Sequence, residues 1–331
     1  MINSGIIITL AYPETVVRIS DEWYLRYLHY LGIGKKNYVR AGHAALVLID
    51  KETGVLEYYD FGRYITSQPN GRVRSKVTDS ELEFHLVAKI KEAAIVNLHE
   101  ILEYLATNPK LTHGKGTMYA SVCNLVDYRL AKNYITNMQE KQFVRYAVFK
   151  NEASNCARFV TEVLIASVTN SSIVKRLRRS KWFTPSTIGN VVISASNKKV
   201  YQLSETGKFI NNKVSVNRIN RACFLDTLRQ HVPNLEGNLY PKPFDHVKEF
   251  AQWLPGIGAG AWFELRESQI KQEFVFRRIS AFGQVDVETI FKVENKSFKY
   301  NKDFEFLHHS NCKTLYIKQE DDIFKFNRIL E

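Results

Sequence analysis

The chain has 331 residues, 45% of them hydrophobic, 12% aromatic and 24% charged, with a formal net charge of +12. That length and apolar content suit two folded domains and exclude extensive disorder. Four cysteines without a CxxC pair exclude a disulfide framework and a zinc knuckle, and no apolar run nears the roughly 20 residues of a membrane span.

The free thiols and an N-terminal stretch that lacks a basic segment and soon meets Pro13 lead to the expectation of a cytoplasmic protein without a secretion leader. The basic excess favours anionic partners, although no nucleic-acid motif accompanies it.

In chain order, residues 6–10 read as a buried strand. Residues 21–31 follow with Trp23, Leu25, Tyr27, Leu28 and Leu31 at a partly helical spacing and Asp21 as N-cap. A Gly-Lys loop leads to a strand at 43–49, a turn at 50–54 and a returning strand at 55–64. A second turn at 68–71 precedes a basic stretch with Arg72, Arg74 and Lys76, and 83–90 reads as a third strand. Helices are expected at 96–105, stopped by Asn108-Pro109, and at 126–140.

A strand at 144–149 runs into a segment whose Phe159, Val160, Val163, Leu164 and Val168 recur at helical spacing, which places Cys156 at a helix start. Lys175, Arg176, Arg178, Arg179 and Lys181 form a basic helical run ending at Trp182, before Pro185. Composition turns polar around 196–220, so the expected domains are 1–200 and a smaller β-rich 215–331, with strands at 262–265, 274–279, 314–318 and 323–326. Gly256-Ile257-Gly258-Ala259-Gly260 reads as a glycine-rich turn, because a strand rather than a helix follows it.

A nucleophilic cysteine needs a base nearby and donors for an oxyanion, and a helix N-terminus supplies unpaired backbone N–H groups. Cys156 is the cysteine with that placement; Cys123 and Cys223 read as core residues. Cys312 follows His308-His309, but adjacent histidines before a strand point to opposite faces, so no metal site is expected there. Among nine histidines, His43 at a strand start after Gly42 is the best base. If Asp50 pairs with Val55, His43 lies opposite Gly62 and diagonal to Asp60, which orients the ring; a slip of one residue brings Glu57 or Tyr59 to that face instead.

The stretch Tyr146…Ser154-Asn155-Cys156-Ala157-Arg158-Phe159-Val160 resembles the Tyr…Asn-Cys-x-x-Phe-Val signature of permuted papain-like proteins, which include NlpC-type hydrolases, lecithin:retinol acyltransferase relatives and PPPDE peptidases. Gly42-His43-Ala44-Ala45-Leu46-Val47 matches the histidine strand that precedes the cysteine in that group. The resemblance implies an α+β fold, an antiparallel sheet packed on the cysteine helix, with Cys156 as nucleophile, His43 as base and Asp60 as orienting group. It also implies hydrolysis of an amide bond in a peptide or an acylated or amidated substrate, by a cysteine peptidase or amidase without a cofactor.

Tyr146, Asn155, Trp182 and Arg63 are the expected substrate-side residues. Arg158 stands where the acyltransferases commonly have a histidine, which argues against lipid acyl transfer. The whole chain also resembles a family of bacterial proteins sharing the GHAAL, DFGRY, SNCARFV, KWFTPST and GIGAGAWFE stretches, a likeness that supplies no activity. The competing expectation is an inactive papain-like scaffold that binds nucleic acid, a lipid headgroup or a cell-wall polymer through Arg72, Arg74, Lys175, Arg176, Arg178 and Arg179.

Overall fold

The computed structural model describes residues 2–212, 215–230, 241, 244–256 and 259–329. These fall into two units, Met1–Gly62 with Glu83–His231, and Arg63–Leu82 with Val232–Glu331. Residues 63–82, placed in the first domain by the sequence reading, therefore cluster with the C-terminal unit.

The first unit is built on β1 (Gly5–Tyr12), β2 (His43–Asp50), β3 (Leu56–Gly62), β4 (Met118–Val126) and β5 (Tyr201–Leu203). These neighbours run β3-β2-β1-β4-β5, each pair antiparallel. Every residue of β1 is buried, as a central strand covered on both faces must be, and its sequence is accordingly an almost unbroken apolar run. The α-helices of eight or more residues are α1 (Leu98–Thr107), α2 (Tyr128–Glu140), α3 (Cys156–Ser167), α4 (Ser171–Ser180), α5 (Thr187–Ser194) and α6 (Val216–Phe224). Helix α3 packs on β2 and β3, and α5 packs on β1 and β4. The α+β class expected from the sequence is therefore observed.

Several local expectations are corrected. Residues 83–89 are not a strand; Val87 makes a single bridge to Val55, and Ile90 begins the two-residue strand Ile90–Lys91. The strand at 144–149 shrinks to Val144–Arg145, because side chains from elsewhere take the following backbone groups. Residues Trp23–Leu31 form 3-10 turns closed by Gly32 in the left-handed conformation, and Asp21 pairs with Arg145 instead of capping. Helix α2 starts two residues later than expected, where Asp127 accepts the Leu130 N–H at 3.1 Å. Cys123 is buried, but Cys223 is only half-buried, on a helix with no buried residue.

The second unit carries β6 (Gln252–Gly256), β7 (Ala259–Glu267), β8 (Glu273–Ser280), β9 (Val285–Val293), β10 (Glu305–Phe306), β11 (Thr314–Gln319) and β12 (Asp322–Arg328), in the order β6-β7-β8-β9-β12-β11-β10. The Gln252 amide donates to Phe304 O at 2.8 Å and accepts from Phe306 N at 2.9 Å, so a side chain links the two ends of the sheet and makes it barrel-like. Phe263, Phe276, Phe291, Phe306 and Phe326 fill the interior. Of the expected glycine-rich turn, Ile257 and Gly258 lie outside the described residues, while Gly256 ends β6 and Ala259 begins β7.

Arg72 and Arg74 are not a surface patch, which corrects their assignment to an anionic partner. Both are buried: Arg72 holds Asp79 through two bonds of 2.6 Å, and Arg74 lies 3.9 Å over the Tyr64 ring. Arg278 completes the cluster with Asp79 at 3.1 Å, Asp286 at 3.2 Å and Glu81. Buried guanidinium groups need such partners, since an unpaired charge there is strongly unfavourable.

Candidate functional site

Gly42 turns the chain into β2 with a φ of 76°, and a Cβ there would lie 2.9 Å from Pro13 Cα and 3.0 Å from Thr187 Oγ1. Both the left-handed backbone and the close approach require glycine. The turn delivers His43 opposite Tyr12 at the end of the β1–β2 pair. On the other side, β2 pairs with β3 from Ala45↔Asp60 to Ile49↔Leu56. Continued by two residues, this is the register that puts His43 diagonal to Asp60. His43 Nε2 lies 3.2 Å from Asp60 Oδ2, and the Tyr58 hydroxyl lies 3.1 Å from the same oxygen.

Glu57 is not at this ring. It takes the Tyr128 hydroxyl at 2.8 Å and the Lys132 ammonium. Of the two carboxylates the sequence left open, Asp60 is therefore the one that meets His43.

Cys156 is the first residue of α3. Asn155 caps that helix: its Oδ1 accepts the Arg158 N–H at 3.0 Å and its Nδ2 donates to Ala147 O at 3.1 Å. The Arg158 guanidinium donates to the carbonyls of Val148, Lys150 and Ala153, tying down the loop before the cysteine. Buried Glu22 braces the same loop from the opposite direction, accepting the N–H groups of Val148 at 2.7 Å and Phe149 at 3.0 Å. Burial opposes its charge, yet these bonds and the hydroxyls of Ser20 and Tyr24 hold its carboxyl below the usual range. Sequence reasoning missed Glu22 because the backbone groups it braces, Val148 N–H and Phe149 N–H, lie more than a hundred residues away.

The Cys156 sulfur lies 4.0 Å from Gly42 O, beside His43. Burial opposes a charge on the His43 ring, but hydrogen bonds with Asp60 and then Cys156, with the charges of both, raise its pKa to about 9. The cluster is almost closed: His43 is 6% exposed and Cys156 7%. Among the described residues, no group of three or more His, Cys, Asp or Glu is placed to hold a metal ion.

The expected substrate-side residues are not gathered here as a set. Asn155 has its amide committed to capping, and the Tyr146 ring stacks on Phe61 with centroids 6.0 Å apart. Trp182 is exposed and lines a groove with Val168, Lys175, Arg178 and Arg179, among whose lining residues neither His43 nor Cys156 appears. Arg63 is a buried residue of the second unit.

Fold and geometry thus define a mixed α/β protein with a cysteine at a helix tip beside a histidine–aspartate pair. Residues 7–173 match the family model of TseH-like type VI secretion system effectors, and the chain belongs to that family. Residues 251–329 match the DUF6695 C-terminal domain. Among solved structures, a crystal structure of the type VI secretion system effector TseH is 18% identical, with 63% of this chain and 97% of that chain covered and a TM-score of 0.39; membership rests on the family model. Comparison with curated proteins gives no match. The family is one of secreted effectors, a destination the cytoplasmic expectation did not include. Among the described residues, no helix is long and apolar enough to cross a membrane.

Proposed function

We propose that the chain is a cysteine hydrolase of amide bonds with a permuted papain-like site, in which Cys156 is the nucleophile, His43 the proton carrier and Asp60 the group that orients it. The observation that carries this reading is the His43 ring held between Asp60 and Cys156. A ring whose pKa is near 9 is positive at neutral pH and holds a proton that it can give to a leaving group. With Nε2 on Asp60, Nδ1 is the nitrogen left for the sulfur.

In the reaction, Cys156 Sγ bonds to the amide carbon, the C–N bond breaks and His43 gives its proton to the leaving amine. Water then attacks the thioester, His43 takes a proton from it, and the acid leaves as Sγ is released. The Cys156 backbone N–H, at the first position of α3 and without an intrahelical acceptor, supports the developing oxyanion. Because the cluster is nearly closed, groups packed around it must move to admit a substrate.

The test is acylation by p-nitrophenyl acetate. The expected result is a burst of p-nitrophenol of about one equivalent per chain and an acetyl group mapped to Cys156. Acetylation absent from Cys156, or unchanged in His43→Ala, would remove the reading. The second reading, an inactive scaffold, is favoured by the near-closure of the sulfur and predicts no burst.

A further inference from the structure

We propose that an aromatic and cationic face of the first unit docks on an anionic lipid surface, whether or not Cys156 is catalytic. Six rings form a continuous exposed or half-exposed path from the 3-10 turns to the segment after α4. The centroid steps are Tyr30–Tyr27 6.3 Å, Tyr27–Trp23 6.1 Å, Trp23–Tyr24 5.7 Å, Tyr24–Phe149 6.0 Å and Phe149–Phe183 5.0 Å. The path ends beside Trp182, which is 87% exposed, and its far end carries Leu31, 75% exposed. Folded chains rarely leave so extended an apolar surface open to water without a partner for it.

Cations accompany the rings. Lys175, Arg176, Arg178 and Arg179 are exposed on α4 and make no ion pair among the described residues, whereas the neighbouring Lys181 pairs with Glu162. Between the end of α3 and α4 lies a groove of about 700 Å³ that combines apolar Ile165, Val168 and Val174 with Lys175, Arg178 and Trp182. An apolar floor beside guanidinium and ammonium groups matches an acyl chain beneath a phosphate headgroup. Trp and Tyr are also the side chains that settle at headgroup depth.

A single-stranded nucleic acid would use the same charges but needs open ring faces on which bases stack. Here Trp23 meets Tyr24 and Tyr27 at 80° and 81°, and Phe149 meets Phe183 at 60°, so neighbouring rings stand edge to face and present no parallel set of faces to successive bases. The groove adds apolar Ile165, Val168 and Val174, which suit an acyl chain and form no hydrogen bond with a base edge. The lipid surface is the better fit.

The experiment is co-sedimentation of the full chain with vesicles of phosphatidylcholine alone, or of phosphatidylcholine with about one-third phosphatidylglycerol. The expected result is binding to the anionic vesicles only, reduced roughly ten-fold in Trp182→Ala/Phe183→Ala and lost in Lys175→Glu/Arg178→Glu/Arg179→Glu. Cys156→Ser should bind as the wild type does, which separates this proposal from the hydrolase reading. A blue shift of emission on anionic vesicles, reduced in either of the mild substitutions Trp23→Phe and Trp182→Phe and lost when both are made, reads the same contact without relying on disruptive variants. Equal partition of the wild type and the aromatic variant, no binding to anionic vesicles, or retention of a single-stranded oligonucleotide in place of vesicles would overturn it.

Discussion

His43 and Asp60 stand on adjacent antiparallel strands, His43 two residues beyond the Ala45↔Asp60 pair, and meet at 3.2 Å between Nε2 and Oδ2. The contact joins two groups that would each be costly to bury alone. Its position is fixed by strand register, so it does not depend on a flexible loop.

Replacing Asp60 by Asn removes a hydrogen-bonding and electrostatic partner that raises the His43 pKa. The ring pKa should fall from about 9 toward the ordinary 6.5 and below, since burial then acts less opposed. An NMR titration of the His43 ring measures this. An unchanged midpoint would mean that Asp60 does not set the charge of the ring.

The same shift has a consequence for stability. The folded pKa of His43 lies above its ordinary value, so its contribution is complete below about pH 6.5 and is lost as pH rises through about 9. The difference in urea-unfolding free energy between wild type and His43→Gln should therefore shrink between pH 6 and pH 9.5, by an amount on the order of a few kcal/mol. A difference that is constant with pH would contradict the assignment.

Asn155→Ala removes the α3 cap and leaves the Arg158 N–H and Ala147 carbonyl without that partner. A loss of about 1–2 kcal/mol is expected from urea unfolding. Asn155→Asp keeps the acceptor for the Arg158 N–H and should recover part of it. Equal losses in both variants would show that capping is not what the residue does.

Gly42→Ala places a side chain on left-handed backbone and against Pro13 and Thr187. It should cost at least about 1–2 kcal/mol and move His43, so the ring titration and the unfolding midpoint should change together. A variant as stable as wild type would show that the turn accommodates a Cβ.

In the second unit, Asp79→Asn leaves Arg72 and Arg278 short of a buried counter-charge and should cost about 3–5 kcal/mol. Burial foremost, together with Glu81 and Asp79, pushes the Asp286 carboxyl up to about 7 despite Arg278. A raised folded pKa means its contribution is complete below about pH 4 and is lost as pH rises to about 7. Asp286→Asn should therefore flatten the stability profile across that window, measured by thermal unfolding at successive pH values.

What the sequence made legible was local. The run in β1 exposed a central strand, the turn after Asp50 set the hairpin register, and the helical spacing after Asn155 put Cys156 at a helix start. What it hid depends on partners distant in the chain. Strand β4 escaped notice because Ser121, Cys123 and Asn124 dilute its apolar pattern, while its hydrogen bonds go to β1, more than a hundred residues away. Arg72 and Arg74 read as surface charge because part of what encloses their cluster, Arg278 and Asp286, arrives about two hundred residues later. Asn155, an expected substrate-side residue, also caps α3, and its second partner, Ala147 O, is a backbone group that no side-chain pattern announces.

The most direct measurement is the site-resolved alkylation rate of the four cysteines by iodoacetamide at pH 6.5, read by mass spectrometry in wild type and His43→Ala. Cys156 is expected to react faster than half-buried Cys223 and to slow at least about ten-fold in the variant. A Cys156 that stays unlabelled, or labels at the same rate with and without the imidazole, would contradict it.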